Sequence, residues 1–345
     1  MARRGGERRG SSYPLISTGA RAADGLELAP RLSEFDRSLI RLLQEDGRRP
    51  YARLAVELGV AEKTVRRRVL ELRESEVIDI TTVADPKVMG YGVIAMVGVR
   101  VAPEQRVSEV AQRLAGVTGS FYVAVVTGRY NVLVEISCVD TDDLLSVVDA
   151  ELANVPGVSG FEIIPYLRLA YQNPAFEAAA RKAPGSDSVR RAPVSFDDTD
   201  RQIIALLHGD GRIPYQTMAR EIGVSESQVR ARVRRMVDSG AVRIMALTIP
   251  RGVGFTTVAL IGINVTAELQ VQPTAGQLAE LPSVVYVVIC AGRFDLLAEV
   301  VCTSHEDLLG LLDAQIRTLP GVARTEPWIY LKLHYRSVQP AGSPR

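Results

Sequence analysis

Residues 36–69 of this chain read DRSLIRLLQEDGRRPYARLAVELGVAEKTVRRRV, and residues 200–233 read DRQIIALLHGDGRIPYQTMAREIGVSESQVRARV. The second stretch repeats the first at a shift of 164 residues, and the same shift still aligns Gly128 with Gly292. The repeat extends from about residue 36 to residue 171. A repeat of this length indicates two copies of a domain pair rather than the short units of a solenoid. Two tandem copies predict an internal pseudo-dimer.

The composition is typical of a soluble globular protein with several domains. The chain has 345 residues, of which 47% are hydrophobic and 23% are charged. No apolar run reaches the roughly 18 residues that a membrane span needs, and no apolar core follows the N-terminal arginines as in a signal peptide. The net charge is +1, so affinity for nucleic acid must come from local basic patches.

Cysteine and histidine usage indicates neither a metal nor a redox site. Cys138, Cys290 and Cys302 lie within apolar, strand-like runs, which favours small buried thiols. The three histidines are scattered and show no ligand spacing with them. We therefore expect no metal, no cofactor and no catalytic residues, and a reducing cytoplasmic location.

Each copy begins with a predicted three-helix unit. In copy one, apolar side chains recur at helical spacing in three segments of residues 32–76. Gly and Pro at 47–50 end the first helix, and Gly59 begins a tight turn before the third. Copy two repeats this order, with Ser225 a better N-cap for the third helix than its counterpart Ala61. Two short helices, a Gly turn and a basic third helix predict a helix-turn-helix DNA-binding unit.

An α+β stretch follows each helical unit. In copy one, β-branched and alternating runs predict a strand, a helix, two strands around Gly128, a helix and a final strand at 161–169. This βαββαβ order recurs in copy two and is typical of a ferredoxin-like plait. The predicted segments are a disordered basic arm (1–31), a helix-turn-helix domain (32–80), a plait (81–172), a linker (173–196), a second helix-turn-helix domain (197–245), a second plait (246–336) and a C-terminal tail (337–345). We expect the plaits to pack face to face.

The third helix of each copy is locally basic in a nearly neutral chain. With the apolar residues turned inward, a rotation of about 100° per residue points Lys63 and Arg67 outward in copy one, and Ser227 and Ala231 outward in copy two. Unlike reading surfaces predict an operator with unlike half-sites, or one dominated by copy one. The alternative is a structural helical unit with a solvated basic face. The candidate base-contacting residues are Lys63, Thr64, Arg67, Ser227, Gln228 and Arg230, and the candidate phosphate-contacting or helix-anchoring residues are Arg66, Arg68, Arg232, Arg234 and Arg235, with Ser225 at the helix start.

A Gly turn lies between two apolar strands of each plait. Glycine there permits a tight reversal with positive φ, and Asn or Asp suits such turns, so a purely structural role is one interpretation. The Arg, the aromatic residue and the Asn or Asp beside the glycine could also recognise a small zwitterion. The candidate ligand-contacting residues are Gly128, Arg129, Tyr130 and Asn131 in copy one, and Gly292, Arg293, Phe294 and Asp295 in copy two.

These motifs together resemble the Lrp/AsnC, or feast/famine, transcription regulators. The shared pattern comprises Asp36-Arg37, Asp46-Gly47-Arg48, Gly59-Val60 and Val65-x-x-Arg68-Val69, their counterparts Asp200-Arg201, Asp210-Gly211-Arg212, Gly223-Val224 and Val229-x-x-Arg232-Val233, and a Gly-x-x-Asp signature at Gly128–Asn131 and Gly292–Asp295. The resemblance covers about four fifths of the chain and implies that the plaits are effector domains, called RAM domains. They would mediate dimerisation and higher assembly and sense amino acids at an interface between dimers.

Copy one departs from the family pattern, because Asn131 stands where the signature has Asp. An amide lacks the charge that pairs with an ammonium group, so ligand binding is expected in copy two rather than in copy one. A family member with one copy per chain pairs with a second chain, whereas this chain tethers two copies and raises their effective concentration.

Two other classes share this architecture. Siroheme decarboxylases resemble the family and rely on a His-Asn-Tyr stretch, but the nearest positions here are Ser120-Phe121-Tyr122 and Val284-Val285-Tyr286, without histidine. A dimerisation scaffold with weakened DNA binding is the third possibility, although arginines persist on both reading helices. We therefore predict a cytoplasmic, sequence-specific regulator that is not an enzyme. Its expected partners are double-stranded DNA and a small-molecule effector such as an amino acid, with self-association of the effector domains and no membrane.

Overall fold

The computed structural model describes residues 16–17, 32–75, 77–84, 90–172, 196–248 and 255–335. The predicted arm, linker and C-terminal tail therefore lie almost entirely outside the described residues. The described part of the arm is a short strand, β1 (Ile16–Ser17), which pairs with the end of the last strand. None of the helices among the described residues combines the length and the apolar character needed to cross a membrane.

The two copies contain the same elements in the same order. Copy one consists of α1 (Glu34–Glu45), α2 (Tyr51–Leu58), α3 (Glu62–Glu74), β2 (Ile78–Ala84), β3 (Val93–Val101), α4 (Val107–Leu114), β4 (Ser120–Val126), β5 (Val132–Cys138), α5 (Thr141–Ala150) and β6 (Val158–Gln172). Copy two consists of α6 (Asp198–Gly209), α7 (Tyr215–Ile222), α8 (Glu226–Asp238), β7 (Val242–Thr248), β8 (Thr257–Val265), α9 (Val271–Glu280), β9 (Val284–Cys290), β10 (Leu296–Cys302), α10 (His305–Leu311) and β11 (Val322–Tyr335). The predicted α+β class and the βαββαβ order are confirmed.

Local sequence explains where the helices of the helical units begin and end. The capping boxes Ser33/Asp36 and Asp197/Asp200 start α1 and α6. Gly59 ends α2 with φ 66°, a left-handed conformation that glycine adopts without strain. As predicted, α8 has an N-cap bond, because the Ser225 side chain accepts from the Gln228 N–H, whereas α3 starts without a side-chain cap.

A two-stranded sheet joins the helical units of the two copies. Strand β2 of copy one pairs antiparallel with β7 of copy two. The Gly47 N–H donates to the Ile244 carbonyl at 2.8 Å, and the Gly211 N–H donates to the Ile80 carbonyl at 2.7 Å. A Cβ atom added at either glycine would lie 2.9 Å or less from backbone atoms of the opposite copy. These glycines, interpreted from the sequence as helix breakers, also permit close approach between the copies.

The eight plait strands close into one barrel. Their order is β11-β4-β5-β3-β6-β9-β10-β8, with β8 pairing back onto β11. Strand β6 pairs with β3 through its first half and with β9 of copy two through its second half. Strand β11 likewise pairs first with β8 and then with β4 of copy one. Each strand thus crosses from its own plait into the other, and each extends beyond the predicted strand at both ends.

The barrel interior is a core to which both copies contribute. Trp328 of β11 is fully buried, and its ring centroid lies 5.5 Å from that of Tyr130 and 5.2 Å from that of Phe294. Separate apolar clusters lie between the sheet and the helices of each plait. The three cysteines are buried, as predicted.

Glutamates from both copies are bonded to tyrosines in the same interior. The hydroxyls of Tyr122 and Tyr330 donate to the Glu299 carboxylate at 2.7 and 2.9 Å, and the Tyr286 hydroxyl donates to Glu135 at 3.1 Å. Burial raises the pKa of Glu135 to about 7 and also raises the pKa of Glu299. Tyr122 and Tyr286 thus each bind a glutamate of the other copy.

Candidate nucleic-acid interface and Gly turns

The helices α3 and α8 expose polar and basic side chains on the face opposite the core. On α3, the side chains of Arg66 and Arg67 are 67% and 72% exposed, and Lys63 is exposed beside them. On α8, the Arg230 side chain is 64% exposed and that of Arg234 is 83% exposed. The inward positions predicted from helical spacing are buried, namely Val65, Val69 and Leu72 of α3 and Val229, Val233 and Met236 of α8. Cations remain available at the surface of both helices for phosphate oxygens or base edges.

Some of the candidate arginines anchor their helix to the first helix of the unit. In copy one, Arg68 donates to the buried Asp36 carboxylate at 2.6 and 2.9 Å. Burial alone would raise the pKa of Asp36, but bonds from Arg68 and Ser33 outweigh it and lower the pKa. In copy two, Arg232 donates to Asp200 at 2.9 Å, and Arg235 is also paired with this carboxylate. The geometry therefore favours the anchoring role for these three arginines.

The two exposed helix faces differ, as their sequences predict. Lys63, Arg67 and Leu70 of copy one stand where copy two has Ser227, Ala231 and Arg234. The Leu70 side chain is exposed, so copy one presents an apolar group where copy two presents a cation. Thr64 is half-buried, and its counterpart Gln228 is exposed and accepts from the Ser225 N–H at 3.0 Å. Ser225 is thereby engaged in capping α8.

A reciprocal pair of arginines connects the two helical units. Arg48 donates to the carbonyl oxygens of Gly211 and Ile213 at 2.9 and 3.0 Å. Arg212 donates to those of Gly47 and Arg49 at 2.9 and 2.8 Å. Sequence reasoning missed this role, although the signal was present in the repeated Asp-Gly-Arg. With the β2–β7 sheet, these bonds fix the position of α3 relative to α8.

Both Gly turns have the tight geometry predicted from the sequence. Gly128 and Gly292 have φ values of 97° and 109° and are exposed. The Asn131 Oδ1 accepts from the Val101 N–H at 2.9 Å, and the Asp295 Oδ2 accepts from the Val265 N–H at 2.8 Å. The two side chains thus have the same structural role. The Asp295 carboxylate has a second, charged oxygen, whereas Asn131 presents an amide NH2.

The aromatic residue of each turn points away from the surface. Tyr130 is 0% exposed and Phe294 is 1% exposed, and both contact Trp328 inside the barrel. Arg129 and Arg293 approach Glu326 at 3.6 and 3.5 Å. A ligand approaching from solvent would therefore meet the glycine, the arginine and the Asn or Asp of each turn.

Comparisons with protein families match both copies. An AsnC-type helix-turn-helix domain matches residues 32–73 and 196–237. An Lrp/AsnC ligand binding domain matches residues 94–176. A C-terminal dimeric alpha+beta barrel domain matches residues 255–337. The last description agrees with the closed barrel.

Two relatives with assigned names are transcriptional regulators, and each matches less than half of this chain. The HTH-type transcriptional regulator FL11 of Pyrococcus horikoshii is 35% identical over 147 residues, covering 42% of this chain and 96% of that protein. The HTH-type transcriptional regulator AldR of Mycobacterium tuberculosis is 32% identical over 167 residues, covering 48% and 92%. Among solved structures, the siroheme decarboxylase NirDL aligns with a TM-score of 0.62 and 16% identity over 90% of this chain and 94% of that one. At this identity, the likeness shows a shared two-copy fold alone.

Proposed function

This chain belongs to the Lrp/AsnC family of helix-turn-helix transcriptional regulators, and from this we propose that it reads an operator with unlike half-sites as a single-chain pseudo-dimer in the cytoplasm. The observation that carries the proposal is the pair of basic helices, α3 and α8, held together by the β2–β7 sheet and the Arg48 and Arg212 bonds. A reading helix needs exposed cations for phosphates and polar groups for base edges, and both helices have them.

The base-contacting roles fall on residues of α3 and α8 that do not anchor their helix to the first helix of the unit. Lys63 and Arg67 would read the half-site of copy one, with Thr64 at the edge of the surface. Ser227 and Gln228 would read the half-site of copy two, with Arg230 beside them. Arg66 and Arg234 would contact phosphates because their side chains are exposed and their ion pairs with exposed Glu62 and Asp238 are weak surface pairs.

The proposal is tested by selecting DNA from a random duplex pool with the purified chain and measuring affinity for the enriched sequence across a salt series. We expect enrichment of a site with two unlike halves, bound by one chain. The logarithm of the association constant should fall linearly with the logarithm of the salt concentration, with a slope of about −0.9 for each phosphate contacted. Failure to enrich any sequence, with equal affinity for selected and scrambled DNA, would contradict sequence-specific binding.

The effector proposal is confined to copy two. The free oxygen of the Asp295 carboxylate can accept from a ligand ammonium group, and the exposed turn at Gly292 lets a ligand carboxylate approach the backbone. Asn131 offers only a donor at the equivalent place, so copy one would not bind the same zwitterion.

We expect Asp295→Asn to weaken binding of an amino-acid effector by about ten- to a hundredfold, because a charged hydrogen bond is lost while the bond to the Val265 N–H remains. The measurement is calorimetric titration with each standard amino acid, first on the unmodified chain and then on the variant. Asn131→Asp is the matched control and should leave the copy-two site unchanged. Equal affinity of the unmodified chain and Asp295→Asn for the same amino acid would place the site elsewhere.

A further inference from the structure

Each helical unit contains a tyrosine with two guanidinium groups over its ring, one from each copy. Tyr51, the first residue of α2, has Arg66 of its own unit at 5.1 Å from the ring centroid and Arg212 of the other copy at 4.1 Å. Tyr215, the first residue of α7, has Arg230 at 5.0 Å and Arg48 of the other copy at 4.3 Å. All four distances lie within the roughly 6 Å at which a cation is attracted to an aromatic face.

The arginine from the opposite copy is the fixed member of each stack. The guanidinium groups of Arg48 and Arg212 each donate to two backbone carbonyls of the opposite unit, at 2.8 to 3.0 Å. Both side chains are half-buried, whereas Arg66 and Arg230 are about two-thirds exposed. The position of the tyrosine ring is therefore tied to the opposite copy, while the second arginine faces the region that DNA would occupy.

We propose that Tyr51 and Tyr215 are positioning residues that couple the DNA-facing arginine of one helical unit to the placement of the other unit. The inference rests on the proposed function, which assigns Arg66 and Arg230 to the DNA surface. A guanidinium held over a ring loses less conformational freedom when it binds a phosphate or a base than one on a free side chain. If the units move apart, the fixed arginine leaves the ring and this preorganisation is lost. The stacks therefore make affinity depend on half-site spacing.

The coupling is measurable without DNA from the guanidinium Nε–H resonances of Arg66 and Arg230 in the free chain. We expect Arg48→Met to shift the Arg230 resonance, because Tyr215 loses the arginine that fixes its ring, and to leave the Arg66 resonance in place. Arg37→Met, on the exposed face of α1, is the matched control and should shift neither resonance. An unchanged Arg230 resonance in Arg48→Met would contradict the proposed coupling. This outcome does not depend on which ligand or DNA the chain binds.

The consequence for recognition is measured with the selected operator and with the same operator carrying one additional base pair between its halves. The spacing ratio is the dissociation constant for the lengthened operator divided by that for the selected operator. In the double variant Tyr51→Leu/Tyr215→Leu, we expect this ratio to fall about three- to fivefold relative to the unmodified chain. Tyr51→Phe/Tyr215→Phe keeps the aromatic faces and should keep the ratio. General destabilisation would weaken binding to both operators alike, so an unchanged ratio in the Leu variant overturns the proposal. If the unmodified chain selects no operator, the proposed function fails. The coupling between the two units is then tested by the Arg66 and Arg230 Nε–H resonances alone.

Discussion

Replacing Lys63 and Arg67 together by alanine should weaken binding to the selected operator by about thirtyfold or more. Both residues lie on the exposed face of α3, and each base contact that is lost costs about 1–3 kcal/mol. If one of the two contacts a phosphate instead, the loss will be smaller and the salt slope will fall by about one. The measurement is fluorescence anisotropy with labelled operator across the salt series.

The matched control removes the same charge from the plaits. Arg106 and Arg324 are 84% and 64% exposed, lie outside both helical units and approach Glu109 and Glu326 at 3.9 and 3.6 Å, distances too long for a hydrogen bond. The double alanine variant of these arginines should bind the operator within about twofold of the unmodified chain, since surface pairs contribute little to stability. Equal affinity of the Lys63/Arg67 variant and this control would refute the reading surface of copy one.

Replacing Trp328 by alanine should destabilise the barrel by about 3–5 kcal/mol, because the change removes a large buried ring and leaves a cavity between the two copies. Trp328 contacts aromatic residues from both plaits, so its loss weakens packing on both sides of the shared interior. Denaturant unfolding followed by far-ultraviolet circular dichroism measures the change and does not depend on tryptophan fluorescence.

Two further variants serve as controls for Trp328→Ala. Trp328→Phe keeps an aromatic ring and removes the indole N–H, which is buried without a hydrogen-bond partner among the described residues, so we expect a smaller loss of stability. Leu331→Ala on the same strand removes a side chain that is 59% exposed and should change the unfolding free energy by less than about 1 kcal/mol. A similar small loss for Trp328→Ala would contradict its place at the centre of the shared core.

Periodicity and turn residues were sufficient to predict the type and order of nearly every described element of the repeat. Apolar residues at helical spacing marked α1 to α3, and apolar runs on either side of the Gly128 turn marked β4 and β5. The final strands were predicted too short, at 161–169 and 328–333, where the structure has Val158–Gln172 and Val322–Tyr335. The additional residues at 158–160 and 322–327 pair with the strand's own plait, and those at 170–172 and 334–335 pair with the opposite plait. Alternation in one strand carries no information about a partner so distant in the chain.

Residue patterns correctly predicted which side chains of α3 and α8 are exposed, but not which of them anchor a helix. Inward placement of Val65 and Val229 put the basic side chains on the exposed faces of α3 and α8, and the structure agrees. The same pattern could not separate arginines whose side chains remain exposed from arginines that anchor a helix. Arg68 and Arg66 are close neighbours on one helix, yet only Arg68 reaches the buried Asp36 carboxylate.

The sequence by itself determined that this chain has two copies of a helix-turn-helix unit and a plait, because helix spacing, strand alternation and turn residues are local and recur at a constant shift. Only the tertiary structure decided that the plait edges pair into one closed barrel and that Tyr130 and Phe294 lie inside it. It also decided that Arg48 and Arg212 each bind carbonyls of the opposite copy. These features depend on which distant surfaces meet, and a backbone carbonyl is the same chemical group at every position of the chain.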